Sequence, residues 1–181
     1  MHEKLYKTRD LTHIYFPEYC RDLVGHLVET LRPAPHHDDN RLTAVIEVDD
    51  IHLDIDTIIP LGLIINELVT NAVTHGFPAP LEDMPGEARE RPAEIRIGMH
   101  CDKSGTCCLT VTNNGKDLPG DFDWNHSQTL GMFIVRSLAE QLNGTMEVRQ
   151  TRQTEFILRF QMEQTSKCTG KEEEENEPVL Y

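Results

Sequence analysis

The chain has 181 residues, with 31 acidic against 17 basic side chains and a formal net charge of −14. Such a surface repels nucleic acid and anionic membrane and leaves room only for a local cationic pocket. The length suits one domain with one filled core, and no uninterrupted apolar run or signal-like start points to a membrane, so the chain reads as soluble and cytoplasmic.

Phe16 to Leu31 reads as an amphipathic helix, with Pro17 in its first turn and Tyr19, Leu23, Leu27 and Leu31 at helical spacing. Leu42 to Val48 and Ile51 to Ile55 alternate apolar and polar residues around Asp49-Asp50, which predicts two short strands or one broken strand. A long helix containing Ile64 to Phe77 follows, and the Pro-rich, acidic stretch from Ala79 to Pro92 reads as a surface loop. Ile95, Ile97 and Met99 alternate in one strand and Cys107, Leu109 and Val111 in the next, with a hairpin turn at Ser104-Gly105. A polar loop from Asn113 to Thr129 leads to a helix over Leu130 to Leu142, with Phe133, Ile134, Leu138 and Leu142 on its apolar side and Gly144 as its stop. Strands over Thr145 to Gln150 and Glu155 to Met162 complete the fold. The acidic segment from Glu163 to Tyr181 has too few apolar residues to offset the entropy of ordering and reads as a disordered tail. The five cysteines are odd in number and lack CxxC spacing, so they read as reduced thiols and support neither a disulfide framework nor a zinc site.

In the long helix, Glu67, Asn71 and His75 recur every fourth residue on an otherwise apolar element, so a carboxylate, an amide and an imidazole rise along one face. By itself this stripe also fits the wet edge of an amphipathic helix. If it lines a pocket for phosphates and Mg²⁺, Asn71 can offer its carbonyl oxygen to the ion, Glu67 can orient a water or attacking group, and His75 can approach a phosphate.

The order of elements, together with three motifs, resembles the ATP-binding domain shared by gyrase, heat-shock chaperones and histidine kinases. The polar-striped helix is similar to that family's N-box, Val111 to Pro119 to its first glycine box, and Thr129-Leu130-Gly131-Met132 to its second. Ala139 to Gly144 and Thr154-Glu155-Phe156 resemble the closing elements of the sensor histidine kinase version, and residues 1–15 its link from the dimerisation helices. The resemblance implies an α+β fold: a two-layer α/β sandwich of the Bergerat type over residues 16–162, its mostly antiparallel sheet covered on one face by helices. It also implies ATP and Mg²⁺ as ligands. Asn71 would hold the metal, Glu67 would act at the phosphate end, and Asn66 or His75 would support the triphosphate. Asn113, Gly115, Asp117, Leu130, Gly131 and Met132 would line the nucleotide, and Pro119 to Thr129 would form a short lid carrying Trp124.

The chain departs from the family pattern at Asn113, where an adenine-reading aspartate is usual, at Asp117 in place of a glycine, and at Gln153 in the closing turn. Asparagine still accepts through its carbonyl oxygen, as a neutral partner, so ATP affinity is expected to fall by roughly 5 to 10 times. No phosphoacceptor motif such as His-Arg-Val-Lys-Asn is present. The resemblance therefore implies the catalytic part of a longer sensor histidine kinase. This part would be monomeric and its parent homodimeric, donating the γ-phosphoryl to a histidine on the dimerisation helices and thence to a response regulator. A degenerate nucleotide-free scaffold and a serine kinase of the anti-sigma type are the alternatives.

Overall fold

In the computed structural model the described residues are 13–31, 42–77, 92–120, 122–124, 126–127 and 129–162. Most of the expected linker, the loop over 79–91 and the acidic tail lie outside them. Period-two alternation builds the sheet from β2 (Thr43–Val48), β4 (Glu94–Cys101), β5 (Thr106–Asn113), β6 (Thr145–Gln150) and β7 (Thr154–Gln161). Their order is β2-β4-β5-β7-β6, with β2 parallel to β4 and every other pair antiparallel. Ile95, Ile97 and Met99 of β4, Cys107, Leu109 and Val111 of β5, and Phe156, Leu158 and Phe160 of β7 form a buried floor. The opposite face carries charge: Arg96 pairs with Glu47 at 2.8 Å and Glu94 at 2.9 Å, and Glu147 with Arg149 at 2.7 Å and Arg159 at 3.2 Å. Such exposed pairs suit a wetted face and contribute little each to stability.

Helices α1 (Phe16–Leu31), α2 (Ile55–Asn71) and α3 (Leu130–Gln141) make the second layer, with α2 packed against both of the others. A two-residue ribbon of β1 (Ile14–Tyr15) and β3 (His52–Leu53) ties the entry of α1 to that of α2, and the Phe16 N–H donates to the Ile51 carbonyl at 3.0 Å. Asp54 stops β3 short of the expected Ile55, because its carboxylate caps α2 by accepting from the Thr57 N–H at 2.7 Å.

Ile58, Leu61, Ile64, Ile65, Leu68 and Val69 of α2 are buried against the floor. By length and composition, Ile55–Gly76, with 22 residues and a hydropathy of 1.4, is apolar enough to cross a membrane. It is no uninterrupted apolar run, since Asp56, Asn66, Glu67 and Asn71 interrupt it, and most of its apolar residues lie in the core, with Ile55, Ile59 and Leu63 exposed.

Three further expectations are corrected. The most deeply buried face of α1 is Phe16, Cys20, Val24 and Val28, with Tyr19, Leu23, Leu27 and Leu31 flanking it; burial pushes the Cys20 thiol up to about 12. In α3 the buried positions are Met132, Val135 and Ala139, while Phe133 points outward at 57% exposure. The helix ends through Asn143, which takes φ 50°, and not through a left-handed Gly144. Gly144 is needed for a different reason: a Cβ there would lie 3.0 Å from the Arg159 carbonyl oxygen and 2.8 Å from Leu158.

The cysteines also differ from expectation. Cys101 and Cys107 face each other in the β4–β5 register and are joined by a disulfide. A hairpin brings cysteines six residues apart into direct opposition, a pairing that no CxxC spacing announces. The hairpin turn itself is as expected: Gly105 adopts φ 83°, and the Asp102 carboxylate accepts from the N–H groups of Ser104 and Thr106 at 2.8 and 3.0 Å.

Two glycines should respond in opposite directions to alanine. Gly144→Ala meets rigid backbone and should cost about 1–3 kcal/mol. Gly25→Ala, in the exposed middle of α1 with nothing within 4 Å of the new methyl, should gain about 1 kcal/mol from helix propensity. Urea denaturation midpoints read both signs.

Candidate functional site

The site forms where the end of α2 meets the end of β5. After Asn71 the helix widens into a π turn over Ala72–Gly76, a feature that recurs at functional positions. His75 lies within this turn and is exposed.

Gly76, at the end of the turn, rests directly on Gly115. A Cβ on Gly115 would collide with the Gly76 carbonyl and lie 2.9 Å from its Cα, and the Lys116 N–H donates to the Gly76 carbonyl at 2.7 Å. The Asn113 Oδ1 accepts from the Gly115 N–H at 3.2 Å, and it is also the atom that a Cβ on Gly76 would approach, at 3.0 Å. Asn114 fastens the same loop to β4 through both ends of its amide: Oδ1 accepts from the Glu94 N–H at 2.8 Å, and Nδ2 donates to the Pro92 carbonyl at 2.8 Å.

The third wall is the first turn of α3, capped by Thr129, whose hydroxyl accepts from the Met132 N–H at 3.4 Å. A Cβ on Gly131 would stand 2.6 Å from the Glu67 carboxylate and 3.9 Å from the Asn71 amide nitrogen. The glycine lets the start of α3 lie directly against the polar edge of α2, where a side chain would push the Glu67 carboxylate aside. Asn66 donates to the Glu67 carboxylate at 3.4 Å.

Gly131 is thereby brought against Glu67 and Asn71, with Asn66 beside them, and Asn113 and Gly115 are brought against Gly76 further along the same helical segment. Asp117 is exposed, Leu130 is 73% exposed, and the Met132 side chain is buried in the core at 5%. Sequence reasoning missed Gly76 and Thr154 as members. Gly76 was legible only as a glycine closing a helix. Thr154 begins the last strand directly opposite Asn113 and is, with Asn113, one of two buried polar residues among those described.

The segment between the glycine boxes is held at its far end by Arg136 of α3. The guanidinium donates to the Trp124 carbonyl at 2.8 Å and the Ser127 carbonyl at 2.9 Å and lies 5.7 Å from the Trp124 ring centre. Leu118, Phe122 and Trp124 then face Met146 and Val148 of β6 across a cavity of ≈ 470 Å³. That cavity is separate from the Glu67–Asn71 edge, none of whose residues line it.

A two-layer sandwich with a polar helix edge set against two glycine turns defines an ATPase domain of a known kind. Residues 56–164, more than half of the chain, match the family described as histidine kinase-, DNA gyrase B- and HSP90-like ATPase, and the chain belongs to that family. It is similar to blue-light-activated histidine kinase 2 of Erythrobacter litoralis, 25% identical over 127 residues, and to the sensor histidine kinase PdtaS of Mycobacterium tuberculosis, 34% identical over 111 residues. Those matches cover 69% and 59% of this chain but only 34% and 20% of the relatives, so the chain spans a third or less of their length. Among solved structures it resembles the histidine kinase domain of the Erythrobacter litoralis EL346 blue-light activated kinase. The TM-score is 0.67 at 19% identity, covering 82% of this chain and 61% of that one. It also resembles the catalytic domain of histidine kinase ThkA, with a TM-score of 0.58 at 19% identity, covering 83% and 95% respectively. These likenesses agree with the α+β sandwich expected from sequence, and the domain is an ATPase module of that family.

Arg136→Ala should release the segment between the glycine boxes at its far end. Trp124, now half-buried against the core, should shift its emission to the red, and limited proteolysis should cut between residues 118 and 129 faster than in the parent. Unchanged emission and cleavage would show that the clasp does not hold the segment.

Proposed function

We propose that this domain binds Mg²⁺ and ATP at the junction of α2, β5 and α3 and, in the full protein, donates the γ-phosphoryl to a histidine on dimerisation helices, from which a response regulator takes it. The observation that carries this reading is the seating of Gly131 against Glu67 and Asn71, which places a carboxylate and an amide beside the N-terminal turn of a helix. Unpaired N–H groups at such a turn favour anionic phosphate oxygens.

The donor set fits a hard cation: Asn71 would offer its amide oxygen to Mg²⁺, with Glu67 close by. When bound, the ion neutralises charge on the phosphates. Glu67, braced by Asn66, orients the attacking group. Leu130 and Met132 flank Gly131 and contribute backbone to the triphosphate side, and His75 and Asp117 stand at the rim. The work of the chain is then mainly positioning and electrostatics.

Dependence on ATP places the domain in the cytoplasm. A single copy supplies the whole site described above, so the domain is read as a monomer, and as half of a homodimer when joined to dimerisation helices.

Calorimetric titration with ATP in the presence and absence of Mg²⁺ tests the reading. Saturable, Mg²⁺-dependent binding is expected, together with about a tenfold loss for Asn71→Ala, the equivalent of about 1.4 kcal/mol. No saturation by the parent chain at millimolar nucleotide would turn the interpretation to a nucleotide-free scaffold.

A further inference from the structure

Asn113 and Thr154 are 8% and 4% exposed, the two buried polar residues among those described, and they face each other on the helix-covered side of the sheet. The two ends of the Asn113 amide are not equivalent. Its Oδ1 is committed to the Gly115 N–H at 3.2 Å. Turning the amide over would set Nδ2 against that N–H, donor against donor, so the loop itself fixes which end is which. Nδ2 donates to no acceptor among the described residues, whereas none of their side-chain nitrogens or oxygens is both sealed and unpaired. The amide nitrogen is therefore a donor still reachable from outside the core.

We infer that Asn113 makes this site read an acceptor at the six-position of a purine, so that it prefers 6-oxopurine nucleoside triphosphates, of the inosine and guanosine class, to ATP. The inference rests on the nucleotide-binding reading above and specifies its base. An aspartate at this position has two acceptor oxygens, one for the Gly115 N–H and one for the amino group of adenine. Asparagine has one acceptor oxygen, turned to the loop by the Gly115 contact, and its other end, where the second carboxylate oxygen would stand, can only donate. The exocyclic amino group of adenine then meets the Nδ2 donor and both are left unpaired, whereas a 6-oxo group accepts from Nδ2 without disturbing the loop. This differs from the sequence expectation, in which the Asn113 carbonyl remained free to accept from adenine. The Thr154 hydroxyl can donate or accept and so tolerates either form of the neighbouring ring nitrogen.

The test compares ATP with inosine triphosphate, which differs in the six-position and the protonation of its neighbouring nitrogen, by calorimetry with Mg²⁺ present. The parent chain should bind inosine triphosphate about tenfold more tightly than ATP, and Asn113→Asp should reverse the order, tightening ATP and weakening inosine triphosphate. The comparison on the parent chain is decisive by itself if the variant does not fold. Saturable binding in which ATP equals or exceeds inosine triphosphate overturns this inference and leaves the nucleotide-binding reading standing. Failure of both nucleotides to bind overturns that reading, and this inference with it.

Discussion

The contact on which the site depends is the approach of two backbones, Gly76 at the end of the π turn and Gly115 after β5. No side chain fits between them, and the Lys116 N–H closes the contact on the Gly76 carbonyl. The helix layer is thereby joined to the sheet at one end of the molecule. The same contact turns the chain back so that the Gly115 N–H meets Asn113, which determines how the amide of that residue is presented.

A second constraint follows from the central place of α2. Most of its apolar residues are buried against the floor of the sheet and against α1 and α3, while Ile55, Ile59 and Leu63 stay exposed, and Asn66, Glu67 and Asn71 form its polar edge. Gly131 lets α3 lie against that edge. Rigid elements therefore carry Glu67, Asn71, Asn113 and Thr154, whereas the lid is attached through backbone carbonyls to Arg136. Bonds to backbone hold a segment without prescribing its side chains. The polar edge thus sits on regular elements, and the segment between the glycine boxes is tied to α3 by one side chain.

Much of the fold was legible in the sequence because each strand and helix repeats its own period. Phe16–Leu31 matches its predicted span, and the hairpin turn falls at Ser104-Gly105. Faces were less legible than spans. In α1 and α3 the apolar residues wrap more than half of the helix, and which of them is most buried is settled by neighbouring elements: Phe133 is as apolar as Val135, yet only Val135 meets the sheet layer. The Cys101–Cys107 bond was missed because cross-strand register, and not sequence spacing, brings the two sulfurs together. Thr154 was missed for the same reason, its partner Asn113 being forty-one residues earlier in the chain.

By itself the sequence determined the order of elements, the polar edge of α2 and the two glycine turns, since periodicity and the absence of a Cβ are local properties written residue by residue. Only the tertiary structure decided which of those polar groups meet, that His75 sits in a π turn, and which end of the Asn113 amide is free. Those outcomes depend on a π turn, a strand register and a backbone contact between residues far apart in sequence, none of which a local pattern encodes.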